Sequence, residues 1–397
     1  MKKPELLAPA GSLGKLKYAI VYGADAVYIG GEAFSLRVAA KNFTNEEIKE
    51  GIEFAHKYGK KVYITANIIP HNADLEAFPD FVREVYEMGA DAIIVSDPGT
   101  FSIVREVAPE LEVHISTQAN NTNYRSAQFW CNQGAKRIVL ARDLDFNEIA
   151  QIKQKLPQGC EIECFVHGAM CISYSGRCLL SNYMTQRDAN KGACAHPCRW
   201  KYYLMEEKRP GEYFALEETD SGSMILSSHD MCAIDLLEDL VAAGVCSFKI
   251  EGRMKSAYYV ASVVNAYRKA MDGTLTREEA RAELECLQHR PYSTGFYHGD
   301  LKLGHYNDGG YTSHCRVIAN VLDWADGVAT IRQRNHFRLG DRLELLSPHT
   351  GVESFVVESM VNEEGLPQTV APHPMQVLRV PCPIPLHPGD MLRRREN

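Results

Sequence analysis

Through residues 1–272, stretches in which apolar side chains recur every three or four positions alternate with short unbroken apolar runs, and a glycine stands at most junctions. Tyr22-Gly23-Ala24-Asp25 precedes Ala26-Val27-Tyr28-Ile29-Gly30, and Tyr58-Gly59 precedes Val62-Tyr63-Ile64. The phrase returns at Met88-Gly89-Ala90-Asp91 before Ala92-Ile93-Ile94-Val95, at Gln133-Gly134-Ala135 before Ile138-Val139-Leu140, and at Ala243-Gly244 before Ser247-Phe248-Lys249-Ile250. Glycine just past a helix accepts the left-handed turn that closes it, and an apolar run without alternation suits a strand covered on both faces. The pattern predicts helices over 45–57, 75–87, 100–107, 124–132, 147–155, 236–242 and 256–271. It predicts eight strands, at 6–8, 26–30, 62–64, 92–95, 112–115, 138–140, 162–166 and 247–250. Eight such strands joined by right-handed crossovers are a TIM-like (β/α)8 barrel; a doubly wound open sheet is the alternative.

The interval between the last two strands holds a long insertion, at about 167–232, which in a barrel is a loop on the C-terminal face where chemistry is done. Residues 273–303 read as a helical linker, with a charged helix at 277–288 ended by Pro291. Over 304–397 the texture becomes short alternating runs at 315–321, 327–332, 341–346, 354–360, 375–380 and 390–393, spaced by Gly, Pro and Asn, which predicts a small C-terminal antiparallel β-barrel. Arg332, Arg334, Arg338 and Arg342 cluster there, and Arg393, Arg394 and Arg395 follow. They form either a solvated face or a contact for a phosphate backbone, with Arg332, Arg334 and Arg338 the RNA-binding candidates.

At 397 residues, 45% hydrophobic and 24% charged, the chain has a globular composition that excludes collagenous, coiled-coil and mainly disordered classes. No run reaches the length needed to span a bilayer, and Met1-Lys2-Lys3-Pro4-Glu5 leads into a strand without a signal-peptide core, so a cytoplasmic address is expected. A net charge of −8 means that any nucleic-acid contact must come from a local basic patch. Twelve cysteines in such a chain are expected to be reduced. Eight of them, Cys160, Cys164, Cys171, Cys178, Cys194, Cys198, Cys232 and Cys246, crowd one region.

Within that crowd stands Cys171-x6-Cys178-x15-Cys194-x3-Cys198, on loops rich in Gly, Ser and Asn that bend freely enough for the four thiols to meet at a point. Thiolate suits zinc or an iron-sulfur cluster. Only the Cys194 and Cys198 spacing resembles a zinc knuckle, which favours a cluster; zinc, and four thiols packed as small hydrophobes, are the alternatives. Cys164 and Cys232 are candidate substitutes. His167 and His196 lie close by, as ligands or as ordinary loop histidines. Asn67, His71, Ser96, Asp97, Ser116, Thr117, Gln118, Arg142, Asp143, Lys249, Glu251 and Arg253 fall at strand ends, where a barrel gathers polar groups into one basin. Asp97 before Pro98 also reads as a helix cap. Arg142, Asp143, His167, Lys249, Glu251 and Arg253 are the catalytic candidates, and Arg37, Arg142, Arg177, Arg199 and Arg253 could hold a carboxylate or phosphate. No H-E-x-x-H or G-x-S-x-G occurs. Asp220-Ser221-Gly222 is half of an aspartic-protease site, whose chemistry needs two carboxylates, and Cys171 or Cys178 with His167 would serve a thiol protease only if unbound by metal.

Glu5-Leu6-Leu7-Ala8-Pro9-Ala10-Gly11, Gly23 through Gly31, Ser116-Thr117-Gln118-Ala119, the stretch 165–200 and Lys249-Ile250-Glu251-Gly252-Arg253-Met254-Lys255 resemble the family catalogued as peptidase family U, number thirty-two, over essentially the whole chain. The family's name implies a collagenase-like peptidase, while other members look like iron-sulfur proteins that hydroxylate RNA bases or ubiquinone precursors. The chain is most similar to the branch that makes 5-hydroxyuridine at the tRNA wobble position with prephenate. The resemblance implies a 4Fe-4S cluster on Cys171, Cys178, Cys194 and Cys198, tRNA as partner and prephenate, a small carboxylate, as co-substrate. A peptidase and a non-catalytic cluster-bearing scaffold are the competing functional readings.

Overall fold

The computed structural model describes residues 3–36, 42–171, 173–200, 229–299 and 312–396, with the backbone of 204–205 and 213–214. Eight parallel strands close on themselves: β1 (Glu5–Pro9), β2 (Ala26–Gly30), β3 (Lys61–Ala66), β4 (Ala92–Val95), β5 (Glu112–Ile115), β6 (Arg137–Val139), β7 (Glu161–Ala169) and β8 (Ser247–Ile250), with β8 paired to both β7 and β1. The fold is the expected TIM-like barrel, and the open-sheet alternative falls. The strands are buried along nearly their whole length, the consequence of covering both faces. Leu7, Ala26, Tyr28, Tyr63, Ala92 and Ile94 form one apolar cluster on neighbouring strands.

Local chemistry sets the helix limits. Thr44 with Glu47 and Asp145 with Glu148 form capping boxes that open Asn45–Lys57 and Phe146–Lys155. Asp97 accepts from the backbone amides of Gly99 and Thr100, with Pro98 leading Pro98–Val107. The helix expected over 75–87 is two, Asn72–Leu75 and Phe78–Glu87, because Pro79 fits a first turn and not a helix interior. Gly89, Gly134 and Gly244 adopt φ of 85°, 101° and 94°, the left-handed closure that the repeated phrase predicted.

The long connection after β7 leaves and returns through a neck. Ala169, Gly168 and His167 pair antiparallel with Asp230, Met231 and Cys232, and Tyr292–Ser293 adds to the far side of Asp230 and Met231. Asp230 accepts from Arg290 through Nη2 (2.6 Å), Nε (3.1 Å) and the backbone amide (3.2 Å), and both residues are buried.

The chain forms two compact units: Met1–Ile20, Ala24–Lys255 and Arg290–Tyr311; and Val21–Gly23, Ser256–His289 and Thr312–Asn397. The stretch expected as a linker is therefore divided: the helix Arg277–Glu285 lies in the second unit, and Tyr292–Ser293 in the first. Its expected end at 303–304 lies outside the described residues. In the second unit Ala257–Asp272 packs on Arg277–Glu285. Beside them an antiparallel sheet runs in the order Glu353–Val356, Arg342–Leu346, Met391–Arg395, Cys315–Ala325, Val328–Gln333, Val377–Pro381, Met360–Asn362, Pro367–Gln368. Among the described residues its two end strands do not pair with each other, so the expected small barrel is a half-barrel. The single strand expected over 354–360 is two, serving opposite ends of the sheet.

Two further expectations are corrected. Cys131 and Cys160 are joined in a disulfide, because the helix Tyr124–Asn132 and the approach to β7 bring their Cα atoms to 6.2 Å. The arginines at the end of the chain are engaged within the fold: Arg393 is fully buried between Glu283 (2.6 Å) and Glu344 (3.1 Å), Arg394 pairs with Asp341, and Arg395 with Glu344 (2.7 Å). No helix among the described residues is long and apolar enough to cross a membrane. Arg393→Met would leave these two carboxylates without their buried partner and is expected to cost about 3–5 kcal/mol, measured as a lowered midpoint in urea denaturation.

Candidate functional site

The C-terminal ends of the barrel strands open into a basin. Tyr28, Thr65, Asn67, Ile94, Ser116, Thr117, Gln118, Arg142, Phe165, Lys249, Glu251 and Arg253 line it, one or more from nearly every strand or the turn after it. Lys249 is buried, with Nζ 2.7 Å from Glu163 and 4.6 Å from the centre of the Tyr28 ring, a cation–π contact. Glu163 also accepts from Arg137 (3.1 Å) and Ser247 Oγ (3.2 Å). Arg137 continues to Glu5 and to Glu161 (2.7 Å), and the Tyr63 hydroxyl donates to Glu5 (2.7 Å). Burial by itself would raise the Glu163 pKa, but Lys249 and then Arg137 hold it down to about 2. His114, buried edge-on to Tyr63, is kept neutral by burial. The barrel interior thus carries a paired layer of charge beneath an open basin.

Arg253 Nη1 donates to Ser35 Oγ (2.6 Å) and Thr65 Oγ1 (2.8 Å), whose hydroxyls bond each other at 2.7 Å. This approach needs glycine at two positions: a Cβ on Gly30 would stand 2.3 Å from Arg253 Nη1, and one on Gly11 would stand 2.1 Å from the Arg253 carbonyl oxygen. Arg142 donates to the Ala169 carbonyl (2.8 Å) and lies over the Phe165 ring (4.6 Å).

A second cavity adjoins the first, and Gln118, Arg142 and Glu251 line both. Cys171, Cys178, Cys194 and Cys198 all face it, along with Tyr174, His196, Arg199, Met254 and Lys255. The loop carrying them is organised by Ser181, buried, whose Oγ donates to the Arg187 carbonyl (2.8 Å) and accepts from the Ala195 amide (2.9 Å). It is fastened to the barrel mouth by the Ile69 amide donating to the Asn190 carbonyl (3.1 Å), by the Lys191 to Asp74 ion pair (2.8 Å), and by Gly176, which leaves room for Gln118. The His196 amide donates to Cys194 Sγ at 3.4 Å. Burial pushes the Cys198 thiol up, Arg199 opposes this, and the neighbouring Cys171, Cys194 and Cys178 add to it. Cys171, Cys178, Cys194 and Cys198 thus share the lining of one cavity, close enough for the other three to act on the Cys198 thiol.

Of the other candidates, Cys164 and Cys232 are core residues on β7 and on the neck strand, and they line neither cavity, which corrects their reading as substitute ligands. His167 is buried in the neck opposite Cys232, its ring near Tyr292 (5.4 Å), away from the thiols. Asp143 is half-buried with its pKa raised by burial, and it lies outside both linings. Asp97 is a helix cap, His71 precedes a short helix at the surface, and Ser96 donates to the Ile68 carbonyl. Arg332, Arg334 and Arg338 are exposed in the second unit, with Arg334 Nη1 3.3 Å from the Met375 sulfur. Arg37 and Asp220-Ser221-Gly222 lie outside the described residues. Sequence reasoning missed Tyr28, Thr65 and Phe165, and with them the Glu163 and Arg137 layer; the available signal was charge inside otherwise apolar strand runs.

A thiol-lined cavity opening onto the C-terminal mouth of a (β/α)8 barrel defines the class of protein. A profile described as Peptidase family U32 matches residues 11–306, and one described as Peptidase family U32 C-terminal domain matches 313–393; the chain belongs to this family. It is 40% identical over 407 residues to tRNA hydroxylation protein P1 of Bacillus subtilis, covering 99% of this chain and 95% of that one. It is 39% identical over 433 residues to tRNA hydroxylation protein P of Escherichia coli, covering 96% and 94%. A 23S rRNA 5-hydroxycytidine synthase of Escherichia coli is 39% identical over 280 residues, 70% of this chain and 40% of that one.

Glu163→Gln is expected to destabilise the barrel by about 3–5 kcal/mol by uncovering Lys249 and Arg137. Because the carboxylate's pKa is depressed, its contribution is complete above the ordinary value of about 4.3 and fades as pH falls toward 2. The gap in stability between wild type and variant should therefore narrow on acidification below about pH 4, as followed by circular dichroism.

Proposed function

We propose that this protein is an iron-sulfur RNA hydroxylase that makes 5-hydroxyuridine at the tRNA wobble position, with a small carboxylate of the prephenate kind as co-substrate. The observation that carries this reading is the shared wall of Gln118, Arg142 and Glu251, which sets a four-thiol cavity directly against a cationic basin. The names of the Bacillus and Escherichia relatives, both matched along nearly their whole length, support tRNA hydroxylation over other chemistries.

The donor set fits a cluster. Four thiols lining one cavity are the soft donor set an iron-sulfur group takes, and the single Cys194-x3-Cys198 knuckle departs from the paired knuckles of a structural zinc site. The His196 amide on Cys194 Sγ is the kind of hydrogen bond that tunes a cluster's potential. When bound, such a group would supply electron transfer or a Lewis-acidic iron next to the basin. The chain's own residues do the rest. Lys249, Arg253 and Arg142 present three cations for carboxylate oxygens. Tyr28 and Phe165 give ring faces to a flat base. Gln118, on the wall common to both cavities, turns its Oε1 against Gly176, where it takes no hydrogen bond among the described residues.

Two measurements test the reading. Deleting the gene from a strain without a paralogue is expected to abolish 5-hydroxyuridine in tRNA, read by nucleoside mass spectrometry; unchanged levels, or gelatin digestion by the purified protein, would overturn it. Anaerobically purified protein is expected to contain iron and sulfide with a cluster absorbance and EPR signal, and Cys171→Ser to lose most of it. Zinc, or no metal at all after reconstitution, would sink the cluster assignment.

A further inference from the structure

We infer that the exposed face of residues 173–200 is the RNA-docking surface, and that it takes unpaired nucleotides stacked on aromatic rings around the mouth of the thiol-lined cavity. This rests on the RNA reading above and moves the contact away from Arg332, Arg334 and Arg338. Large apolar side chains are exposed here in a group: Tyr174, Leu179, Tyr183, Met184, Trp200 and Met254, with Tyr183 87% exposed and Trp200 42%. Two of them border the cavity and the rest stand on the elements beside it. Tyr174 and Met254 line the cavity, Tyr183 and Met184 stand on the helix Leu180–Thr185, and that helix packs against the turn Pro197–Arg199 that leads into Trp200. An exposed apolar group of this kind marks an interaction site.

Charge identifies the partner. In a chain of net charge −8, residues 173–200 contain Arg177, Arg187 and Arg199, besides Lys191 held by Asp74 (2.8 Å), against one acidic residue within the stretch, Asp188. The Asp188 carboxylate caps the turn Ala189–Lys191, accepting from the Asn190 amide (2.8 Å). Rings interleaved with cations are what single-stranded nucleic acid requires, because every base offers a face to stack and every linkage a phosphate. The second unit has cations but not this combination: its exposed large apolar residues, Val328, Val352, Val356, Leu366, Val370 and Met375, include no ring among the described residues. A flexible nucleotide docked on the first face would hold its base at the entrance to the two adjoining cavities.

The test uses the full-length, cluster-loaded protein and fluorescence anisotropy with a labelled tRNA anticodon stem-loop and a fully paired duplex of the same length. Tyr183→Ala with Trp200→Ala is expected to weaken stem-loop binding by about 10-fold or more, with iron content and melting temperature unchanged. Tyr183→Phe with Trp200→Phe should restore it, since stacking needs the ring alone. Replacing Arg332, Arg334 and Arg338 by alanine should have a much smaller effect. The surface assignment is overturned if the double alanine variant binds the stem-loop like wild type, if the phenylalanine pair fails to rescue, or if duplex binding falls in parallel. If the wild type binds no RNA, this inference and the RNA reading fall together. Weakened binding alongside unchanged tRNA hydroxyuridine in the deletion strain would leave the surface standing and remove the hydroxylase.

Discussion

Glu163 places a full negative charge inside a closed ring of strands, and the rest of the first unit is arranged around satisfying it. Lys249 on β8 and Arg137 on β6 reach it from the two neighbouring strands, and Arg137 spreads the charge onward to Glu5 and Glu161. A lone carboxylate in that setting would be strongly unfavourable; paired on both sides it is held ionised. Its hold on Lys249 keeps an ammonium group at the floor of the basin, braced against Tyr28 and Phe165. The layer thus fixes where Lys249 Nζ stands before any ligand arrives.

The thiol cavity depends on a different constraint, the neck. Because β7 runs on past the barrel to pair with Asp230–Cys232, the cysteine-bearing excursion starts and ends at one place, with the buried Asp230 and Arg290 pair beside it. Contacts from Asn190, Lys191 and Gly176 then settle the loop over the ends of β3 and β5. A freely bending loop held at its base and along its length presents its thiols, Tyr174 and Arg199 to the cavity, while Arg177, Tyr183, Arg187 and Trp200 are exposed. In the second unit the same type of side chain has another use: the fully buried Arg393 joins the helix pair to the sheet through Glu283 and Glu344.

Much of the fold was legible. The glycine-then-apolar phrase located five of the eight barrel strands and unbroken apolar runs the other three, and the caps at Thr44, Asp97 and Asp145 appear where short polar residues precede apolar periodicity. The helix over 75–87 was misread because periodicity carries on across Pro79, and the 354–360 strand because alternation does not say which neighbour a segment pairs with. Of the strand-end polar residues, Asn67, Ser116, Thr117, Gln118, Arg142, Lys249, Glu251 and Arg253 reach the basin. Asp97 and Ser96 turn back to local backbone groups, a choice settled by a rotamer and a hydrogen-bond partner.

The sequence by itself determined the period of the barrel, the spacing of Cys171, Cys178, Cys194 and Cys198, and the local reversal of charge around them, because these are properties of neighbours along the chain. Only the tertiary structure decided that Glu163 meets Lys249 and Arg137, that Cys232 is core while Cys171 faces a cavity, and that Gln118, Arg142 and Glu251 form a common wall. The physical reason is that these relations hold between residues far apart in sequence, brought together by closure of the ring and by strand register, and neither composition nor periodicity carries that information.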